Sequence, residues 1–106
     1  MGKYFLIESQ SPFESTEVNY NYELASDLAI SGHEVTLFLV ENGVLAVRST
    51  DTSLDLTKLN QVNLLADEFS LQERGIDSSE IGSNIKISSL ECVVNAMAEG
   101  QKMMWL

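Results

Sequence analysis

Short apolar runs alternate with helix-patterned stretches from one end of this sequence to the other, and that alternation decides the class of fold open to it. Tyr4 to Ile7 is a continuous apolar run, the pattern of a strand buried on both faces. Glu34 to Val40, rich in Val, Leu and Phe, reads as a second strand. Val62 to Ala66, Ile85 to Ile87 and Lys102 to Trp105 read as the third, fourth and fifth. Between the first two strands, Val18, Tyr22, Ala25 and Ala29 recur every three or four residues, with Leu24 and Leu28 beside them, forming one helix face. Asp67 is placed to N-cap a short helix through Arg74, ended by Gly75. Ser88 and Glu91 have capping-box spacing and open a last helix, with Leu90, Val93, Val94 and Met97 read as its inner face and Gly100 as its stop. This order predicts an α/β fold of three layers, a five-stranded, mainly parallel sheet with helices on both faces. At 106 residues the chain fits one domain, residues 1–106, small enough to leave much surface for an oligomeric neighbour to cover.

The connections carry their own signals. Ser11-Pro12-Phe13-Glu14 has the spacing of a capping box with proline at the first helical position, and Ser15 offers a cap one turn later. Gly32 is the expected stop of the first helix. Asn42-Gly43 turns the chain ahead of a short helix from Val44 to Val47. Ser49 to Asp55 and Asp77 to Ser83 read as loops, and Leu56 to Asn60 as a helical turn. Ligands of parallel sheets bind beyond the carboxyl ends of the strands, which directs attention to Glu8–Ser15, Glu41–Val44 and Ala66–Phe69.

Charge and cysteine usage narrow the function classes. With 16 acidic and 6 basic residues the formal net charge is −10, and no window supplies the positive stripe that nucleic acid or an anionic membrane surface requires. A basic protein partner and plain solubility both fit such a surface. Cys92 is the only cysteine and His33 the only histidine, so neither an internal disulfide nor a thiolate zinc site is expected, and no metal or cofactor is called for. Met1-Gly2-Lys3-Tyr4 runs straight into a strand without a secretory h-region, and no apolar run is long enough to span a bilayer, so a cytoplasmic location is expected.

Several segments, taken in order, resemble the DsrE/DsrF/DsrH family. They are the opening Lys3-Tyr4-Phe5-Leu6-Ile7 strand with the Ser11-Pro12-Phe13 loop, Ser31-Gly32-His33-Glu34-Val35-Thr36-Leu37-Phe38-Leu39, Glu41-Asn42-Gly43-Val44, Leu71-Gln72-Glu73-Arg74-Gly75-Ile76, and the closing strand with Trp105. The resemblance covers nearly the whole chain and implies an α/β sheet domain of an oligomeric sulfur-relay system that passes sulfur as cysteine persulfide. It places the family's cysteine just past the third strand, ahead of the helix ending in Arg-Gly. Counting back from Arg74-Gly75 reaches Asp67, and neighbouring Leu65, Ala66 and Glu68 supply no thiol.

The candidate site residues follow from these readings. Ser11 and Pro12 stand after the first strand, Asn42 and Gly43 after the second, Asp67 and Glu68 after the third. Asp67 and Glu68 read either as an acidic pocket or docking surface, or as an N-cap and a carboxylate favouring the helix start. Asn42-Gly43 reads as a ligand loop or a simple turn. Cys92 within the last helix reads as a small buried hydrophobe or as a displaced sulfur site, with adjacent Glu91 tending to raise its thiol pKa. His33 falls at the amino end of the second strand, away from the other candidates. Met103, Met104 and Trp105 suit core or a subunit contact. These features point to a non-catalytic subunit or scaffold of a sulfur-relay complex, joined to like or unlike DsrE-like subunits and meeting a sulfur-carrier protein. The alternatives are a sulfurtransferase using Cys92 and a small-ligand or partner-binding module outside sulfur transfer.

Overall fold

The computed structural model describes residues 2–48 and 59–106. Strand β1 (Lys3–Glu8) leads through a turn to helix α1 (Glu17–Ile30), strand β2 (Glu34–Leu39) and a 3-10 helix (Glu41–Val47). Strand β3 (Asn63–Asp67) passes directly into helix α2 (Glu68–Glu73). A short 3-10 turn (Ser78–Glu80), strand β4 (Ile85–Ser88), helix α3 (Glu91–Ala98) and strand β5 (Lys102–Trp105) complete the order. The expected Ser49–Asp55 loop and residues 56–58 of the expected helical turn lie outside the described residues. Leu59, within that expected turn, is buried in the core, and its carbonyl accepts the Val62 N–H at 2.9 Å.

All five strands join one sheet in the order β4-β3-β2-β1-β5, and every pairing is parallel. The chain adds β2, β3 and β4 outward on one side of β1, then crosses back to lay β5 on the other side. Crossovers of one hand therefore put the connections on opposite faces. The larger core packs α1 and the 3-10 helix on one face, through Val18, Tyr22, Ala25, Val44 and Val47 against Leu6, Val35, Leu37 and Leu64. The smaller core packs α3 on the other face, through Cys92, Val93 and Ala96 against Phe5, Ile7, Phe38 and Val40. Full burial of side chains such as Leu37 and Phe38 is worth about 1.5–3 kcal/mol each.

Local chemistry sets the element ends. Gly32 adopts φ 96°, and the N–H groups of Gly32 and His33 return to the carbonyls of Ala29 and Leu28, closing α1. Helix α1 starts at Glu17 with Thr16 at its N-cap and no side-chain capping bond there. Ser15, one residue earlier than the cap, accepts the Glu17 N–H on its Oγ at 3.2 Å, so neither candidate cap falls at the N-cap position. The Ser11–Glu14 pairing does form, with the Ser11 N–H donating to Glu14 Oε1 at 2.9 Å, but it closes a turn ahead of α1 instead of opening the helix.

Helix α3 departs from its sequence reading in two ways. Its sheet-facing residues are Cys92, Val93 and Ala96, whereas Leu90, Val94 and Met97 are each 64% exposed. The Ser88–Glu91 box is absent; Ser89 Oγ accepts the Glu91 N–H at 3.3 Å. The reason is geometric. A helix of eight residues rests one narrow stripe on the sheet, and starting it at Glu91 turns that stripe toward Cys92 and Ala96.

Candidate functional site

With this strand order the switch point lies between β1 and β5, and a crevice there opens at the strands' carboxyl ends. A cleft of about 330 Å³ occupies that end on the α3 side. Ile7 of β1, Phe38 and Val40 at the end of β2, Asp67 of β3 and Trp105 of β5 form its floor, and Leu90 and Val93 form one wall. Glu41, Phe69, Ser70 and Glu73 close it from the 3-10 helix and α2. A larger cavity of about 510 Å³ lies at the opposite end, over the amino-terminal parts of β3 and β4, lined by Thr36, Asn63, Asn84 and Lys86 among others. The fold's chemistry end is the first of these.

Asp67 is the centre of the cleft's polar network. It sits where β3 becomes α2 and is only 5% exposed. As N-cap, its Oδ2 accepts the Ser70 N–H at 3.1 Å and the Ser70 hydroxyl at 2.7 Å. Ser70 Oγ in turn accepts the backbone N–H of Glu41 at 2.8 Å. That bond holds Glu41 at φ 51°, the one positive φ among described residues other than glycine. Ser70 was not singled out in the sequence, and Glu41 entered only as the first residue of the loop after β2. The Asp67-Phe69-Ser70 stretch carried a partial signal, since an N-cap carboxylate faces the third residue of its helix; Glu41's backbone carried none.

Cys92 faces the same network from above. Burial pushes its thiol pKa up, a Ser88 side-chain hydrogen bond lowers it, and the Asp67 charge raises it further. The acidic neighbour that acts on Cys92 is thus Asp67 across the sheet, where the sequence had suggested Glu91 beside it. Ser88, released from capping, is the thiol's partner. A half-buried thiol whose pKa is raised in this way is a poorer nucleophile than a free cysteine.

The other candidates separate from the cleft. Glu68 is exposed and lines a different cavity with Leu71, Gln72, Ile76 and Ile87, so the adjacent Asp67 and Glu68 serve opposite sides of α2. Ser11 is buried, and its hydroxyl accepts the Phe13 N–H at 3.1 Å within its own turn. Pro12 lies in the same turn. Asn42 Oδ1 accepts Arg74 Nε and Nη2 at 3.1 and 3.0 Å, tying the 3-10 helix to the end of α2. Gly43 lies so close to the Glu8 carbonyl that a Cβ would overlap it. Asn42 and Gly43 therefore brace the Glu41 backbone. His33 stands at the amino end of the sheet, where its Nδ1 accepts the Gly2 N–H at 2.9 Å and its ring meets Tyr4 edge-on at 5.0 Å.

A second buried carboxylate ends β1 on the α1 face. Glu8 is 1% exposed and accepts Asn21 Nδ2 at 2.7 Å and the Gln10 N–H at 3.1 Å. Nearby Tyr22 carries a buried hydroxyl without a hydrogen-bond partner among the described residues, and burial, then the Glu8 charge, drive its pKa upward. Among the described residues no group of three or more His, Cys, Asp or Glu side chains could hold a metal ion, and no helix is long and apolar enough to cross a membrane.

The fold has known counterparts. The model of the DsrE/DsrF-like family matches residues 2–106. This chain belongs to that family. Among solved structures, the ychN protein from E. coli superposes on this DsrE-like chain with a TM-score of 0.87 at 18% identity, covering 100% of both chains. A protein of unknown function from Methanobacterium thermoautotrophicum gives 0.80 at 17% identity, covering 98% of this chain and 97% of its own. A conserved protein of unknown function from Bacteroides thetaiotaomicron gives 0.72 at 16% identity, covering 97% and 94%. At such identities the likeness is one of fold. No curated protein matches the sequence.

Proposed function

We propose that this DsrE-like chain is a non-catalytic subunit or scaffold of a sulfur-relay assembly. One observation carries the reading. Asp67 stands at the end of β3, the position at which the family resemblance expects the sulfur-bearing cysteine, and a carboxylate holds no transferable sulfur. The chain's one thiol, Cys92, sits on α3 with its pKa raised by burial and by Asp67. Both features weigh against persulfide chemistry, while the chain keeps the family's fold.

A scaffold needs a contact surface, and α3 and β5 offer one. Leu90, Val94 and Met97 are each 64% exposed and Trp105 is 68% exposed. Exposed aromatic and aliphatic anchors of this kind suit burial against a neighbouring subunit. Such an assembly would work in the cytoplasm beside a sulfur-carrier protein. Affinity capture of the tagged chain from its native host tests the reading. Recovery of DsrE-like subunits that do carry the cysteine is the expected result. Recovery only of proteins unconnected with sulfur chemistry would refute it and favour a binding module of another kind.

A further inference from the structure

The cleft's chemistry is one-sided. Its walls are hydrocarbon and aromatic, and its ionisable groups are all carboxylates, from Glu41, Asp67 and Glu73. Among the described residues no Lys, Arg or His lines it. Glu73 has partial compensation from Arg74 at 3.6 Å, outside the lining. Asp67 has none. Both of its hydrogen bonds end on Oδ2, and among the described residues no donor reaches Oδ1. Asp67 thus brings a carboxylate with one open oxygen to the lining although the residue is 95% buried. A charge set in apolar surroundings attracts an opposite charge far more strongly than it would in water. The exposed indole of Trp105 adds a π face that also favours a cation. About 330 Å³ lies at the small end of ligand cavities, enough for a molecule of about ten heavy atoms.

We propose that this cleft binds a small organic cation, a primary ammonium on an apolar body. The ammonium meets Asp67 Oδ1, and the body lies against Trp105 and Phe38. Glu41 and Glu73 add negative potential at the rim and repel anions. The site needs no sulfur traffic, and at protein concentrations that keep the chain monomeric, with Leu90 and Trp105 uncovered, it stands or falls separately from the relay reading.

Titration with phenethylammonium tests it, followed by the fluorescence of Trp105, the only tryptophan in the chain. Neutral 2-phenylethanol and anionic 3-phenylpropionate serve as controls of similar shape. Saturable binding of the ammonium is expected, roughly millimolar or tighter for so small a probe, and about tenfold tighter than either control. Rising salt should weaken it. Asp67→Asn retains an equally good N-cap, so its thermal midpoint should hold while its affinity for the ammonium alone falls about tenfold. Glu41→Gln, which changes a side chain with no hydrogen bond among the described residues, should lower that affinity about threefold. Equal binding of all three probes would overturn the proposal. So would an ammonium affinity unchanged in both variants.

Discussion

Gly43→Ala tests how tightly the end of β1 supports the cleft. A Cβ at Gly43 would come closer to the Glu8 carbonyl oxygen than the 3.0 Å that real Cβ contacts keep, and would lie 3.3 Å from the Glu8 carbonyl carbon. Neither side can yield freely. The Glu8 oxygen already accepts the Val40 N–H at 3.0 Å, and the Gly43 N–H donates to the Val40 carbonyl at 2.8 Å. Relief of the overlap must stretch one of these bonds or push β1 away from the 3-10 helix. Overpacking of this kind costs about 1–3 kcal/mol, and a weakened backbone bond adds about 1 kcal/mol. The smaller conformational freedom of alanine in the unfolded chain returns about 0.4–1 kcal/mol. The net loss is then about 1–3 kcal/mol, which lowers the thermal midpoint by roughly 5–20 °C for a domain of this size. Urea unfolding with matched thermal melts measures it. Gly100→Ala is the control, because Gly100 has φ 76° and nothing within 4 Å, so its cost is conformational alone. A Gly43→Ala protein as stable as the parent would refute the close approach and the bracing role assigned to this segment.

Three further outcomes follow from the same geometry. Alkylation of native Cys92 should be slow and its rate–pH profile displaced to the alkaline side of a free cysteine, since burial and Asp67 raise the thiol pKa; Asp67→Asn should speed the reaction, and iodoacetamide kinetics followed by mass spectrometry check both. Tyr22→Phe should stabilise the protein by about 1 kcal/mol at neutral pH, because it removes a buried hydroxyl that has no partner. The raised Tyr22 pKa means the native state keeps a proton that the unfolded state releases above about pH 10, so parent stability falls as pH rises past that value and the variant should be flatter there in denaturant melts. Self-association through α3 and β5 should strengthen with salt, which screens the net charge of −10, and Trp105→Ala should weaken it; light scattering that finds a monomer at every salt and protein concentration would remove the homo-oligomer.

The sheet was legible because its strands are short runs rich in apolar residues. β5 falls at Lys102–Trp105 as read, and β2 and β3 lie within one residue of their sequence bounds. Gly32, Gly75 and Gly100 all adopt positive φ at helix ends, as stop residues do. Strand order was not legible, since pairing β5 with β1 joins the two ends of the chain. The face of α3 was misjudged for a related reason. Its apolar residues nearly encircle the helix, so periodicity could not say which stripe meets the sheet; the exposure of Val94 and Met97 marks a surface left over for something else. Within the site, Asp67 was found as an N-cap, a signal four residues long. Its approach to Cys92 depends on the crossover between β3 and α3, which no local pattern records.

The central claim of the proposed reading is that this DsrE-like chain does not itself carry sulfur, because Asp67 occupies the position where the thiol is expected and burial and the Asp67 charge raise the pKa of Cys92. Incubation of the native protein with a low-molecular-weight persulfide donor, followed by intact-mass measurement, tests this most directly. The account predicts no added sulfur in the folded chain. A stoichiometric sulfur adduct that disappears in Cys92→Ser would contradict it and move the chemistry to α3.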